Sequence, residues 1–207
     1  MKSLRSLTFG LALAALAPLA YGQQIITATT LSGANENPPN ASPGTGTAQV
    51  TLDTANHLLR VKVTFSGLTS NTTAAHIHCC IQAPQNTGVA TTVPAFPGFP
   101  LGVTSGSLDQ TYNTLDPGTW NPAFVTAHGG TPAGAEAFLA AGLPQGMAYL
   151  NIHTTNNPGG EIRGFLIAQT APIVDISNIP TLSQWGLAVL AVVLAIAAFL
   201  VLRRRMR

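Results

Sequence analysis

Charged side chains are scarce in this sequence, at 8% of 207 residues, and cations are scarcest where a domain would fold. Lys2 and Arg5 stand at the start, and Arg203, Arg204, Arg205 and Arg207 at the end. Only Arg60, Lys62 and Arg163 remain between them, facing Glu36, Asp53, Asp109, Asp116, Glu136, Glu161 and Asp175. The basic pI therefore belongs to the two ends and the middle is acidic, which excludes a phosphate backbone and hence nucleic acid as a partner. Cysteine is nearly absent: Cys79 and Cys80 are the only two, and a disulfide between neighbours closes almost no loop. Catalytic signatures are also missing. There is no Gly-x-Ser-x-Gly elbow, no phosphate-cradling loop and no His-Glu-x-x-His helix, and Glu36 has no carboxylate partner in view for glycosidase chemistry. The expectation is a protein that is not an enzyme.

Long apolar runs occur at the two ends. Residues 1–22 read as a secretory signal, with Lys2 and Arg5 before the apolar run 7–19 and small residues, Ala20 and Gly22, at the cleavage positions. Export by Sec-type machinery would start the mature chain at Gln23. Residues 187–202 are apolar without a break and are followed at once by Arg203, Arg204 and Arg205, a cytoplasmic anchor in a transmembrane helix whose N-terminus lies outside. Both ends thus orient the middle segment away from the cytoplasm. The domain is expected to be anchored at the inner membrane or, after sorting, to reach the cell surface or extracellular space.

The middle, residues 23–170, is built of short β-rich runs broken by Gly, Pro, Asn and Asp, with a linker over 171–178. Predicted strands cover 25–31, 47–53, 58–65, 73–79, 103–112, 147–153 and 161–168. One short helix is expected after Thr131, with Pro132 in its first turn and Gly142 at its end. Residues 81–102, rich in proline and glycine, read as a long ordered loop. The fold class is all-β, an antiparallel Greek-key sandwich or barrel of about seven to eight strands.

Unusual side chains concentrate in two segments. Strand alternation puts His76 and His78 on one face with Ala75 and Ile77 on the other, and Tyr149, Asn151 and His153 opposite Leu150 and Ile152. Glu161 and Arg163 share a face after the turn at Asn157-Pro158-Gly159. Two chemistries are open. His76, His78 and His153 can offer imidazoles to Zn or Cu, with Glu161 as a ligand or supporting partner. Alternatively Asn151, Glu161, Arg163 and the histidines form a structural polar cluster that fixes register. Cys79 and Cys80 can pair with each other, pair between chains or join the histidines at a metal. His57 and His128 read as solvated loop residues.

Two resemblances follow from these motifs. The run Ile179-Pro180-Thr181-Leu182, then Trp185-Gly186, an apolar helix and an arginine cluster resembles the IPTL-type C-terminal sorting signal of Gram-negative bacteria, over residues 179–207. That resemblance implies an exosortase-like membrane enzyme as partner. The segments Leu31-Ser32-Gly33-Ala34-Asn35-Glu36-Asn37-Pro38-Pro39, Ala75-His76-Ile77-His78, Tyr149-Leu150-Asn151-Ile152-His153-Thr154 and Gly160-Glu161-Ile162-Arg163-Gly164 resemble the chordin-type (CHRD) domain. The family occurs in secreted bacterial proteins and in the animal antagonist chordin. It implies an extracellular β domain and supplies no established catalytic activity; the module is expected to act by binding or structural interaction, with a protein or polysaccharide ligand. This chain lacks the cysteine-rich modules with which chordin binds growth factors, so that function does not transfer.

Overall fold

The structure, a computed structural model, describes residues 24–169 and 184–206. These fall in two compact units, divided after Gln169. The predicted signal peptide, the linker 171–178 and the motif residues Ile179, Pro180, Thr181 and Leu182 lie outside the described residues.

The first unit is one antiparallel sheet with helices at its side. Its strands are β1 (Gln24–Ser32), β2 (Thr45–Asp53), β3 (Leu58–Ser66), β4 (Thr72–Cys79), β5 (Gly106–Asn113), β6 (Ala148–Thr154), β7 (Ile162–Phe165) and β8 (Ile167–Ala168). Their order is β4-β6-β7-β1-β2-β3-β5, with β8 paired to β1, and the sheet bends into a half-barrel. The all-β expectation holds. Strict alternation in β3 shows why: Leu59, Val61, Val63 and Phe65 are buried while Leu58, Arg60, Lys62, Thr64 and Ser66 are exposed. Val50, Leu52, Ile77, Leu150 and Ile152 complete the same core.

The β2–β3 hairpin is fixed by Asp53, whose Oδ1 accepts from the backbone N–H groups of Ala55 and Asn56 at 3.1 and 3.0 Å. His57 follows at φ 56°. It is not merely solvated: its Nδ1 lies 3.0 Å from the buried carboxylate of Glu136, which also accepts from Thr114 Oγ1. Glu136 belongs to the expected helix, α2 (Pro132–Gly142), capped by Thr131 Oγ1 at 3.1 Å from Gly134 N. A further helix, α1 (Pro122–Ala127), starts where Asn121 Oδ1 accepts from Ala123 N. His128 ends it with its ring stacked 3.6 Å from that of Phe138, another departure from a solvated loop.

Residues 81–105 form the long loop, and it closes the sheet edge at β4. Ala90 N donates to Ile77 O at 2.8 Å, Phe96 N to Ala75 O at 3.2 Å and Ile77 N to Thr91 Oγ1 at 2.9 Å. An edge strand so capped has no free ladder to offer another chain. Cys79 and Cys80 are joined to one another, and Cys79 faces the core against Gly142 of α2.

The second unit is the helix α3 (Gln184–Arg205), with Arg203, Arg204 and Arg205 in its last turn, where cations suit the helix dipole. Among the described residues no helix is long and apolar enough to cross a membrane, which corrects the expected transmembrane helix. The apolar stretch ends at Leu202, so the helix gives about 25 Å of apolar length against a hydrocarbon core of about 30 Å.

Candidate functional site

Strand β6 is buried on both faces, an unusual condition for a half-barrel. Ala148, Leu150 and Ile152 face the core, and on the other side Thr87 meets Tyr149, Glu36 meets Asn151 and Pro158 meets His153. Cross-strand pairing sets His76 opposite Asn151 and His78 opposite Tyr149 in β4, and Arg163 opposite Asn151 in β7. One polar row therefore runs His76–Asn151–Arg163 across three strands.

His76, His78 and His153 converge, each offering a ring nitrogen such that all three atoms lie within 4.8 Å of one another. They are 6%, 8% and 8% exposed. Their tautomers follow from their partners. His78 Nδ1 donates to Thr87 O at 2.7 Å and His153 Nδ1 to Pro158 O at 3.0 Å, which leaves both Nε2 atoms as bare lone pairs. His78 Nε2 accepts from His76 Nδ1 at 3.1 Å, whereas His153 Nε2 is buried without a partner. A zinc ion about 2.0–2.1 Å from three imidazoles holds their nitrogens about 3.3 Å apart, so the set, now within 4.8 Å, closes toward that spacing on binding. Carbonyl acceptors behind two of the rings are what a metal site uses to aim its histidines. The ring of Tyr149 stacks on His78 at 4.6 Å.

Glu161 is not among them. Fully buried, it accepts from Ser42 Oγ at 2.6 Å, Thr69 N at 2.6 Å and Thr154 Oγ1 at 2.5 Å. Burial opposes its charge, but these bonds hold the carboxyl below its usual range. Its role is to tie the 40–44 and 68–70 loops to the end of β6, away from the histidines. Nor does it meet Arg163. That guanidinium, 1% exposed, donates to Asn35 O, Asn86 Oδ1 and Pro84 O at 2.6, 2.5 and 2.7 Å, and its nearest carboxylate is Glu36 at 3.8 Å. Of the expected polar cluster, Asn151 and Arg163 stay together and Glu161 stands apart. Glu36 takes its place, a residue whose partner lies 127 positions away and carries no local signal.

Protonation is costly here. Burial, and then the neighbouring imidazoles His153 and His78, lower His76 to about 3; burial chiefly lowers His78 to about 4, and His153 is lowered by burial too. The unfolded rings bind protons near 6.5, so the stability these groups confer is present above that pH and is lost as pH falls toward about 4. Glu36 acts oppositely: burial lifts its carboxyl from 4.5 to about 7 against the pull of Arg163, so its contribution is present below 4.5 and lost as pH rises through about 7. Three rings outweigh one carboxyl. The melting temperature of metal-free protein is expected to drop between pH 6.5 and 4, and a flat thermal profile over that window would contradict neutral buried histidines.

The half-barrel with its covered polar row defines an all-β module. The chain belongs to the CHRD domain family, which matches residues 27–166. The IPTL-CTERM motif matches residues 179–205 and adds the C-terminal signal of a protein handled by a sorting enzyme. No curated protein and no solved structure matches the chain.

Proposed function

We propose that this exported CHRD module binds zinc or copper through His76, His78 and His153, without catalysing a reaction of its own. The observation that carries this reading is the convergence of three neutral imidazoles, two of them held from behind by the carbonyls of Thr87 and Pro158. The set is all nitrogen, which suits zinc or copper better than magnesium or calcium. Metal analysis of the protein recovered from its own envelope tests the reading, with one zinc or copper ion per chain expected.

The same module is read as an interaction surface delivered to the cell exterior, with an exosortase-like enzyme acting on Ile179, Pro180, Thr181, Leu182, Trp185 and Gly186. A protein or polysaccharide ligand is supported by the outer sheet face. There Thr30, Thr47, Thr64 and Ser107 line up in register across β1, β2, β3 and β5, beside a shallow cleft of 480 Å³ that includes Gln49 and Lys62.

A further inference from the structure

Among the described residues, three buried side-chain atoms lack a hydrogen-bond partner: Glu36 Oε1, Asn151 Oδ1 and His153 Nε2. His153 Nε2 and Asn151 Oδ1 are acceptors, and Glu36 Oε1 is one when its carboxyl is ionised, above about pH 7. Asn151 stands between the other two. Asn151 precedes His153 by two residues on the same face of β6 and stands opposite His76. Glu36 lies against Asn151, whose amide favours the ionised carboxylate. Gly160, at φ 132°, permits this approach: a Cβ there would lie 2.5 Å from Asn151 Nδ2 and 2.8 Å from Glu36 Oε1. Glu36, Asn151 and His153 are 6%, 2% and 8% exposed, so each of these atoms has lost its water and is destabilising unless something fills the gap.

A metal accounts for the imidazole nitrogen but not for the two oxygens. Three protein ligands leave a tetrahedral ion with one open position, normally filled by water. A water there is a donor of two hydrogens, and its ion makes it a stronger one. We infer that the trihistidine centre is an open site, with an exchangeable water at its fourth position whose hydrogens are received by Asn151 Oδ1 and Glu36 Oε1. This inference rests on the metal-binding reading above. It makes the centre a receptor for small anions, which replace the water, and it makes Glu36 a positioning residue that favours water over them by repelling negative charge. Arg163, 3.8 Å from Glu36 Oε2 and held by Asn35, Pro84 and Asn86, keeps the carboxylate on this side; Tyr149 is the other titratable group facing it.

The full exported chain, loaded with one equivalent of Cu²⁺ and titrated with azide, tests this. Wild-type protein should develop an azide-to-copper charge-transfer band. Glu36→Gln should keep its copper and bind azide about tenfold more tightly, because the repelling charge is gone. Asn151→Ala removes the second acceptor, should shift azide affinity the same way, and serves if Glu36→Gln does not fold. Copper bound with no azide band overturns the open position. Azide affinity unchanged in both variants overturns the role of Glu36 and Asn151. Failure to bind copper at all overturns the metal reading itself, and this one with it.

Discussion

Replacing His78 with alanine is expected to weaken zinc or copper binding by at least about a hundredfold, since even partners one layer behind a metal are worth 10–100-fold. His78 is the ring most firmly prepared for a ligand role. Its Nδ1 is committed to Thr87 O at 2.7 Å, its face is stacked on Tyr149, and its Nε2 points at His76. Metal binding to folded protein raises its melting temperature by mass action, so wild type should melt higher with saturating zinc and the variant should not. The control is already in the chain. His57 and His128 lie outside the cluster, engaged with Glu136 and Phe138, and alanine at either should leave metal affinity unchanged. Equal loss in all three variants, or none in His78→Ala, would contradict a site built from the trihistidine set.

The second large effect is on stability. Arg163→Met should destabilise the domain by roughly 3–5 kcal/mol, the range for breaking a buried ion pair from one side. For a chain of this size each kcal/mol is about 2–4 °C, so the melting temperature should fall on the order of ten degrees. The arginine joins three segments: its fork reaches the 33–40 loop through Asn35 O and the 81–87 loop through Pro84 O and Asn86 Oδ1, and its plane lies 4.8 Å over Tyr149. Lysine cannot reproduce the fork and should rescue little. The loss should be greater at pH 8 than at pH 5, because Glu36, lifted to about 7 by burial, can take a proton at the lower pH and so relieve an uncompensated charge. Arg60→Met makes the comparison. Arg60 meets Asp109 at 2.7 and 2.8 Å, better geometry than Arg163 to Glu36, yet both partners are exposed and screened by water, so its loss should leave stability nearly unchanged. Chemical denaturation of both variants at both pH values checks the contrast.

What could be read from the sequence was mostly governed by the period-two alternation of strands. It puts His76 and His78 on one face of β4 and His153 on one face of β6, and pairing of β4 with β6 brings those faces together. The same rule misleads for Glu161, which precedes β7 and is turned toward Ser42, Thr69 and Thr154 by a backbone that pairs with Ile152 O before the strand begins. Glu36 was legible only as a turn residue, because its meaning depends on Arg163 and Asn151 far along the chain. Helix α1 is six residues long, too short to show an apolar period, and only Asn121-Pro122 marks its start. The split of 161–168 into β7 and β8 comes from Leu166, whose side chain is fully buried and whose N–H goes to Ala148 O. At the C-terminus, the apolar run and the arginines behind it predicted a span, and those same arginines, in the last turn of the helix, end the stretch available for one.

Scarce charge marks this chain from the start, and the few charges its domain retains are placed with consequence: Glu161 and Arg163 as buried ties, Glu36 beside an all-neutral imidazole set. A metal in that set would be the largest charge in the domain's interior. Native mass spectrometry of the protein from its own envelope tests this most directly. One zinc or copper ion per chain, absent from His78→Ala prepared in the same way, is the predicted result; folded protein of metal-free mass that also takes up neither ion on addition would contradict it.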